Sequence, residues 1–271
     1  MNVRLFCITG IVGAAPWAHS ETTTFSVSPT PVALVDNGYT GTVGSMASVS
    51  LPIAFSGTIQ DVNVTVGINH TWIGDLVIKI RSPSGTMVTL MSRPGVVETA
   101  DDGTGTAGFG DSSDLSASFP ITFDGSAASS AETMGSTLAD SGVVCRDDSR
   151  CSYTPNPGAA AAGNLGSFNG QNCYGTWRLY VGDAGVGDTG TINQFSLTVV
   201  TPDRPRLQIM NSGTNIVVAW PTNAQGFTLE ASPFVPGGGW VTVGGSTSVS
   251  GTNFAISLPA TNVSRFFRIW K

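Results

Sequence analysis

The sequence predicts an all-β protein, a jelly-roll β-sandwich followed by a second, smaller β-sandwich. The 271 residues include 34 Gly and 15 Pro, which favour turns, but only 4 Glu and 2 Lys, which long helices use heavily. Val, Ile, Thr and Phe recur in short runs with the period of two that is typical of strands. Gly- and Pro-containing turns separate these runs, as in two-sheet sandwiches.

The composition also excludes several classes of protein. Charged residues make up 11% of the chain, against about 25% in ordinary soluble proteins, so its polar surface consists mainly of Gly, Ser, Thr and Asn. Hydrophobic residues make up 41%, which is enough for a buried core and argues against disorder. The net charge of −6, without a Lys/Arg cluster, argues against nucleic acid as a partner.

The N-terminus has the pattern of a signal peptide over residues 1–20. Arg4 precedes an apolar run over residues 5–15, and the small residues of Ala-His-Ser at 18–20 favour cleavage after Ser20. The apolar run is too short to span a bilayer, and no other segment reaches the roughly 18 apolar residues of a membrane span. We therefore expect a secreted protein whose mature chain has no membrane span.

Residues 40–200 carry the alternating patterns of the first sandwich. Residues 21–39 before them are rich in Thr, Ser and Pro, and we expect a leader or linker without a core pattern there. Alternation of apolar with polar or small residues predicts strands at 62–68, 76–80, 177–181 and 192–199. Residues 96–165 are less regular, and we expect long surface loops there, where binding sites usually lie.

A change of composition marks the end of the first domain. Residues 201–205 (Thr-Pro-Asp-Arg-Pro) are predicted to be a linker, because two prolines interrupt the strand pattern. The charge changes sign at this point. Residues 34–200 carry a net charge of −9, whereas residues 203–271 carry +3. The acidic character of the chain therefore belongs to the first domain.

Residues 206–271 are predicted to form the second, smaller sandwich. Six short strand patterns lie at the spacing expected of a small immunoglobulin- or fibronectin-like β-sandwich. Trp220, Trp240 and Trp270 are interpreted as core anchors of this domain. The alternative is that these aromatic side chains form a face on which a ligand stacks.

The cysteines favour one disulfide. Cys145 and Cys151 flank a short polar loop, and closing this ring of seven residues would contribute about 2.4 kcal/mol by the chain-entropy estimate. Cys173 is then unpaired, or it competes for one of the other two, since spacing does not decide the pairing. The fourth, Cys7, lies in the signal peptide. No CxxC motif or Cys/His pair predicts a structural zinc site.

Two groups of motifs follow one another in the first domain. The first comprises His70-Thr71-Trp72-Ile73-Gly74-Asp75-Leu76, Ser82-Pro83-Ser84-Gly85-Thr86, Leu90 and Arg93. The second comprises Leu165-Gly166-Ser167-Phe168, Gly175-Thr176-Trp177-Arg178-Leu179, Val181-Gly182-Asp183 and Gly187-Asp188-Thr189-Gly190. Together they resemble the P domain, also called Homo B, which follows the subtilisin-like catalytic domain in kexin-like proprotein convertases and many bacterial secreted proteases.

The resemblance implies a β jelly roll that folds, stabilises and regulates an adjacent serine protease domain. No such catalytic domain precedes residue 40, so we expect this protein not to be an enzyme. A Ser-His-Asp triad needs a histidine as its base. Once His19 leaves with the signal peptide, His70 alone remains, and its family counterpart is structural. The sequence contains no G-x-S-x-G motif, and no local pattern favours a paired-carboxylate glycosidase.

Loop aspartates in the first domain predict calcium as a cofactor. Asp183 and Asp188 flank a glycine-rich loop, and Asp75 lies in the turn of the first motif. Calcium takes oxygen ligands from carboxylates and loop carbonyls. The family jelly rolls often bind calcium through such acids. Asp75, Asp183 and Asp188 are therefore the candidate metal ligands, and we predict that EDTA lowers the melting temperature.

A second acidic cluster lies between glycines farther along the chain. It consists of Asp101, Asp102, Asp111 and Asp114. Neither cluster has the spacing of an EF-hand loop. The alternative for both is that the aspartates cap turns, as in an Asx turn at Asp188-Thr189-Gly190 ahead of a strand.

These observations favour a secreted, non-catalytic P-domain protein. We expect it to stabilise, regulate or dock onto a separate subtilisin-like serine endopeptidase. The alternative is an extracellular carbohydrate- or surface-binding adhesion module, in which two β-sandwiches present loops to a polysaccharide or a cell surface. With either function, the resemblance to a P domain would by itself associate the protein with serine-type proteolysis.

Overall fold

The computed structural model describes residues 20–96, 98, 108–155, 164–202, 205–222, 224, 226–234, 239–261 and 265–270. It has one compact unit at Ser20–Pro202 and a second that begins at Asp203. This boundary lies inside the predicted linker 201–205. The predicted signal peptide, apart from Ser20, lies outside the described residues. Within the described part, no helix has the length and apolar character needed to cross a bilayer.

In the described part of the first unit we find eleven strands. They are β1 (Ser20–Val27), β2 (Val32–Ala33), β3 (Ala47–Ile53), β4 (Asp61–His70), β5 (Leu76–Arg81), β6 (Met87–Ser92), β7 (Ile121–Phe123), β8 (Ser129–Ser130), β9 (Ser152–Thr154), β10 (Gly175–Asp183) and β11 (Gly190–Pro202). Short 3-10 helices lie between them at Val43–Ser45, Ile73–Asp75, Ala131–Thr133 and Leu165–Phe168.

These strands form two sheets. One has seven strands in the order β1-β11-β4-β7-β9-β8, with the short β2 also paired to β11. The other has four strands in the order β3-β10-β5-β6. All pairs are antiparallel except β7–β9 and β8–β9, which are parallel. A β-bulge in β11 shifts its register against β4 between Ile192 and Gln194.

The main hydrophobic core of the described residues lies between the two sheets. The apolar residues of β4 alternate as predicted, and Val64 and Ile68 are fully buried. They share one core cluster with Ile80 of β5 and Leu179 of β10 in the opposite sheet. The buried Trp177 packs edge-on against Phe168, with their ring centroids 5.0 Å apart. The predicted all-β sandwich is thus confirmed.

The expectation of a leader or linker at residues 21–39 is wrong for the first part of this segment. Ser20–Val27 is strand β1, which pairs along its whole length with β11. Its half-buried Phe25 contacts Phe55, with 5.9 Å between the ring centroids. The Thr- and Ser-rich composition hides this alternation, because an edge strand buries only a few apolar side chains.

Residues 96–165 were expected to form long surface loops, but this region also contains three short strands. It supplies β7, β8 and β9 to the larger sheet, and Phe123, Met134 and Tyr153 from this region are fully buried. These strands have only two or three residues each. A period of two cannot be recognised over so few residues, which is why sequence patterns do not indicate them.

The second unit also consists of two sheets. Its described strands are β12 (Gln208–Ser212), β13 (Asn215–Pro221), β14 (Thr228–Ser232), β15 (Val241–Thr242), β16 (Ser248–Ser250), β17 (Asn253–Pro259) and β18 (Phe266–Trp270). The sheets have the orders β12-β13-β17-β16 and β15-β14-β18. Val218, Leu229 and Ile256 bury their side chains in a common core between them.

Only one of the three tryptophans proposed as core anchors of this unit is buried. Trp220 is 3% exposed and packs against Phe254. Trp270 is 58% exposed, and Trp240 is half-buried. The guanidinium of Arg268 lies over both of these rings, 4.4 Å from the centroid of Trp240 and 4.8 Å from that of Trp270. The interpretation of Trp240 and Trp270 as core anchors is therefore wrong.

The predicted disulfide between Cys145 and Cys151 is present, with 4.5 Å between the two Cα atoms. Cys173 takes no part in a disulfide. Its buried thiol lies 3.3 Å from the carbonyl oxygen of Phe55, to which it donates a hydrogen bond. Cys173 therefore does not compete with Cys145 or Cys151 for the disulfide.

Replacing both Cys145 and Cys151 by Ser is expected to lower the unfolding free energy by about 2 kcal/mol, since the open loop gains conformational entropy in the unfolded chain. Calorimetric unfolding of the double variant measures this loss. Cys173→Ser serves as the control for thiol removal without loss of a cross-link. An unchanged transition in the double variant would show that the disulfide has no stabilising role.

Candidate functional site

Two connections meet at one end of the first sandwich. Residues 71–75 join β4 to β5, and residues 184–189 join β10 to β11. In one sheet Asp183 is the register partner of Leu76, and in the other Gly190 is the register partner of His70. The strand register therefore places the predicted residues Asp75, Asp183 and Asp188 in the same neighbourhood.

His70 and Asp183 form a buried pair beneath these connections. The Nε2 atom of His70 lies 3.2 Å from Oδ2 of Asp183, and neither side chain is exposed to solvent. The backbone N–H of Trp72 donates to Nδ1 of His70 at 3.1 Å. Because Nδ1 is an acceptor, a neutral ring carries its hydrogen on Nε2 and donates it to the carboxylate. The other oxygen of Asp183 accepts the backbone N–H of Gly185 at 3.0 Å.

Asp75 differs from Asp183 in having no such partners. The residue is buried, with only 5% of its surface exposed. Among the described residues, none donates a hydrogen bond to its carboxylate oxygens. Burial raises the pKa of Asp75 to about 6, and the negative charge of Asp183 adds to this shift. Its surroundings thus disfavour the ionised form.

Asp188 lies at the rim of the site and is half-exposed. Its Oδ1 atom accepts a hydrogen bond from the hydroxyl of Thr71 at 2.6 Å. In the same loop, the backbone N–H of Gly187 donates to Asp36 at 2.9 Å. These two contacts hold the 184–189 connection against neighbouring segments.

Arg93 closes another side of the site. It is buried, and its backbone φ of 42° lies in the left-handed region. Its guanidinium donates to the carbonyl oxygens of Gly74 at 3.1 Å and Gly108 at 2.7 Å. The indole N–H of Trp72 donates to the carbonyl oxygen of Phe109. Arg93 and Trp72 thereby fasten the segment after residue 107 to the β4–β5 connection.

Together these segments enclose a cleft of about 580 Å³. Apolar side chains form much of its wall, namely Trp72, Phe109 and Val186. Phe109 is 82% exposed and Val186 78%. Asp75, Asp188 and Arg93 supply the charged groups. The cleft therefore combines an apolar mouth with a buried carboxylate in its wall.

Gly185 is the point where the two connections touch. A Cβ atom at this position would overlap the carboxylate of Asp75. Gly185→Ala is expected to displace that carboxylate and to lower the unfolding free energy by about 1–2 kcal/mol, through overpacking. Thermal unfolding of the variant measures this. Gly125→Ala is the matched control, because a Cβ at Gly125 meets nothing within 4 Å. Equal melting temperatures for the two variants would contradict the close contact.

The second acidic cluster is arranged differently. Asp101 and Asp102 lie outside the described residues. Oδ1 of Asp111 accepts the backbone N–H of Ser113 at 2.9 Å, which is the Asx geometry of a turn. Burial raises the pKa of Asp114, and the charge of Asp188 raises it further. Asp111 thus caps a turn, in agreement with the alternative interpretation of this cluster.

Two of the three predicted calcium ligands, Asp183 and Asp188, already accept hydrogen bonds within the protein. Both carboxylate oxygens of Asp183 are engaged with His70 and Gly185, and Oδ1 of Asp188 is engaged with Thr71. Across the residues that the structure describes, no three or more His, Cys, Asp or Glu side chains are grouped to hold a metal ion. Calcium binding stays a prediction. A bound ion would raise the melting temperature, and EDTA would lower it.

Two wall residues of the cleft, Phe109 and Val186, are not identified by the sequence patterns. Each is a lone apolar residue in a glycine-rich loop, at Gly108-Phe109-Gly110 and Gly185-Val186-Gly187. Such a pattern does not predict a strand. It does indicate an apolar side chain held on a loop, which is the signal that the sequence offers for them.

Comparison with known proteins supports the resemblance seen in the motifs. Residues 59–110 match the family model of the proprotein convertase P-domain. No curated protein matches the chain. Among solved structures, it is similar to the serine protease of Aeromonas sobria, alone and in complex with a chaperone. Identities are 17% and 18%, TM-scores 0.38 and 0.39, and the alignments cover 70% of this chain and 28% of each protease.

The first unit is a β-sandwich, and the match to the P-domain family model covers residues 59–110 within it. The matched segment includes β4, β5 and β6, together with His70, Asp75 and Arg93. Asp183 and Asp188 lie outside the matched segment. The chain spans just over a quarter of the length of the two similar proteases.

Proposed function

We propose that the protein is a secreted, non-catalytic P-domain protein that docks onto a subtilisin-like serine endopeptidase and stabilises or regulates it. The observation that carries this proposal is the family match over residues 59–110, which includes the motif around His70 and Asp75. In the family, this domain accompanies subtilisin-like catalytic domains. The proposal extends that association to a protease partner of this chain.

The contacts of His70 support a non-catalytic role. A serine protease base must accept a proton from a serine hydroxyl through a ring nitrogen. In His70 one ring nitrogen accepts the N–H of Trp72, and the other faces Asp183. Its ring is fully buried. The histidine therefore acts as a structural link between β4 and β10.

The disulfide supports secretion. Bonds such as Cys145–Cys151 persist in oxidising compartments and are rare in the reducing cytosol. This agrees with the signal peptide expected over residues 1–20. Detection of the protein in the culture medium, with an N-terminus created by cleavage, tests this part of the proposal.

The docking function is tested by capture of a protease. The purified full chain is immobilised and exposed to the secreted proteins of its source organism, which are labelled beforehand with a fluorophosphonate that reacts only with active serine hydrolases. We expect one labelled subtilisin-like protease to be retained. Retention of none, together with unchanged protease activity when the chain is added, would contradict the proposal. The chain alone is expected not to cleave fluorogenic dibasic peptides.

A second candidate function is carbohydrate binding by the other unit. It is favoured by one observation, the exposed Trp270 of β18, whose ring, like that of the half-buried Trp240, stacks on the guanidinium of Arg268. Tryptophan rings at a surface supply large, rigid contact area for a ligand. A glycan array with the full chain and with Trp270→Ala distinguishes this function. Binding that depends on Trp270 supports it, and an array without signal contradicts it.

A further inference from the structure

The cleft contains a buried carboxylate that accepts no hydrogen bond from the described residues. Asp75 is 5% exposed, and within the described part of the chain no group donates a hydrogen bond to its carboxylate. Burying a carboxylate is unfavourable unless a cation or hydrogen-bond donors compensate for its lost hydration. Asp75 also borders the cleft, so a ligand in the cleft can reach it. This side chain therefore points to a cationic ligand.

Arg93 favours the ionised form of Asp75 through its charge, but its described hydrogen bonds go to other groups. Arg93 directs Nε and one terminal nitrogen to the carbonyl oxygens of Gly74 and Gly108. Asp188 accepts the hydroxyl of Thr71 and adds a second negative charge at the rim. With two carboxylates and one guanidinium, the lining carries a net negative charge. The surrounding domain, at −9 over residues 34–200, would attract a cation toward it.

The walls of the cleft restrict the kind of cation. Trp72, Phe109 and Val186 offer two aromatic rings and an aliphatic side chain around the carboxylate. Such walls suit a cation with an apolar stem. A guanidinium is planar, weakly hydrated and stacks on aromatic rings, whereas an ammonium is a compact and strongly hydrated charge. A guanidinium also matches a carboxylate with two parallel hydrogen bonds.

We propose that this cleft receives an arginine side chain of a partner polypeptide, with its guanidinium on the carboxylate of Asp75 and its stem between Trp72 and Phe109. The proposal rests on the docking function inferred above and names the chemistry by which the partner is held. Gly185 makes room for the carboxylate at this point, because any larger residue there would overlap it.

The direct test measures peptide binding by the full chain in buffer with EDTA. The probe is a fluorescent, capped Gly-Gly-Arg-Gly-Gly peptide, compared with versions carrying citrulline or lysine instead of arginine. We expect saturable binding of the arginine peptide, and at least roughly tenfold weaker binding of the citrulline peptide, which has the same shape without the charge. The lysine peptide is expected to bind more weakly than the arginine peptide.

Two variants complete the experiment. Asp75→Asn is expected to weaken binding of the arginine peptide by roughly tenfold or more. Asp61→Asn removes an exposed carboxylate of β4 that does not line the cleft, so binding should stay within about twofold of the wild type. Circular dichroism and melting curves establish that both variants are folded.

Three results would overturn the proposal. They are equal binding of the arginine and citrulline peptides, unchanged binding by Asp75→Asn, and a calcium-induced rise in melting temperature that requires Asp75 without any peptide binding. The last result would assign the cleft to a metal ion. If wild type and Asp75→Asn capture the protease equally, the docking function stands and the arginine proposal fails. If the arginine peptide binds but no protease is captured, the arginine site stands and the docking function fails.

Discussion

Asp183→Asn is expected to destabilise the first unit by about 2–4 kcal/mol, as is typical when a buried carboxylate that accepts hydrogen bonds is lost. Both oxygens of Asp183 accept hydrogen bonds, from the ring of His70 and from the N–H of Gly185. An amide has only one acceptor oxygen, so its NH₂ group would face one of these donors. His70 cannot move its hydrogen to Nδ1, because Trp72 donates there.

Calorimetric unfolding of the full chain measures this loss, since the two units can unfold in separate transitions. Asp188→Asn is the matched control. Asp188 is half-exposed, and its contact with the Thr71 hydroxyl can be kept by the amide oxygen. We expect a change below about 0.5 kcal/mol for this control. Similar melting temperatures for Asp183→Asn and the wild type would contradict the role given to the buried pair.

Asp75→Asn is expected to stabilise the first unit at neutral and alkaline pH, in contrast to Asp183→Asn. The pKa of Asp75 is raised from 3.8 to about 6 in the folded protein. The folded state therefore retains a proton that the unfolded chain has already lost, and stability from this group falls as the pH rises from about 4 to about 6. Asn cannot ionise, so the variant avoids this loss. We expect a gain of about 2–3 kcal/mol at pH 8, allowing for screening at the cleft mouth.

Urea unfolding at pH 4 and pH 8, with EDTA present, tests this prediction. At pH 4 Asp75 is protonated in the folded protein, and the variant should match the wild type within about 0.5 kcal/mol. The groups that face Asp75 and influence its titration are Asp183, His70, Asp188 and Arg93. A variant less stable than the wild type at pH 8 would show that the carboxylate has a stabilising partner.

Much of the first unit can be predicted because the necessary information is local. Apolar alternation at Val62, Val64 and Val66 requires one buried face, and β4 has that face. The disulfide joins residues six positions apart. The motif around His70 and Asp75 is likewise contiguous, so the amino-acid sequence alone is sufficient to indicate a P domain.

The parts that sequence does not indicate depend on distant contacts. Asp75 and Asp183 are 108 positions apart, and their different environments follow from which of them meets His70. The exposure of Trp270 likewise depends on which face of a three-stranded sheet is covered. Composition gives no information on either point. Strand β1 escapes prediction for a related reason, since its burial arises from pairing with β11 near the far end of the unit.

The most direct test of the proposed role measures binding of a purified subtilisin-like protease, from the same organism, to the full chain and to Asp75→Asn by surface plasmon resonance. We predict that the wild type binds the protease and that the variant binds at least roughly tenfold more weakly while remaining folded. Absence of binding to the wild type at all protease concentrations would contradict the proposal that this chain docks onto a serine endopeptidase.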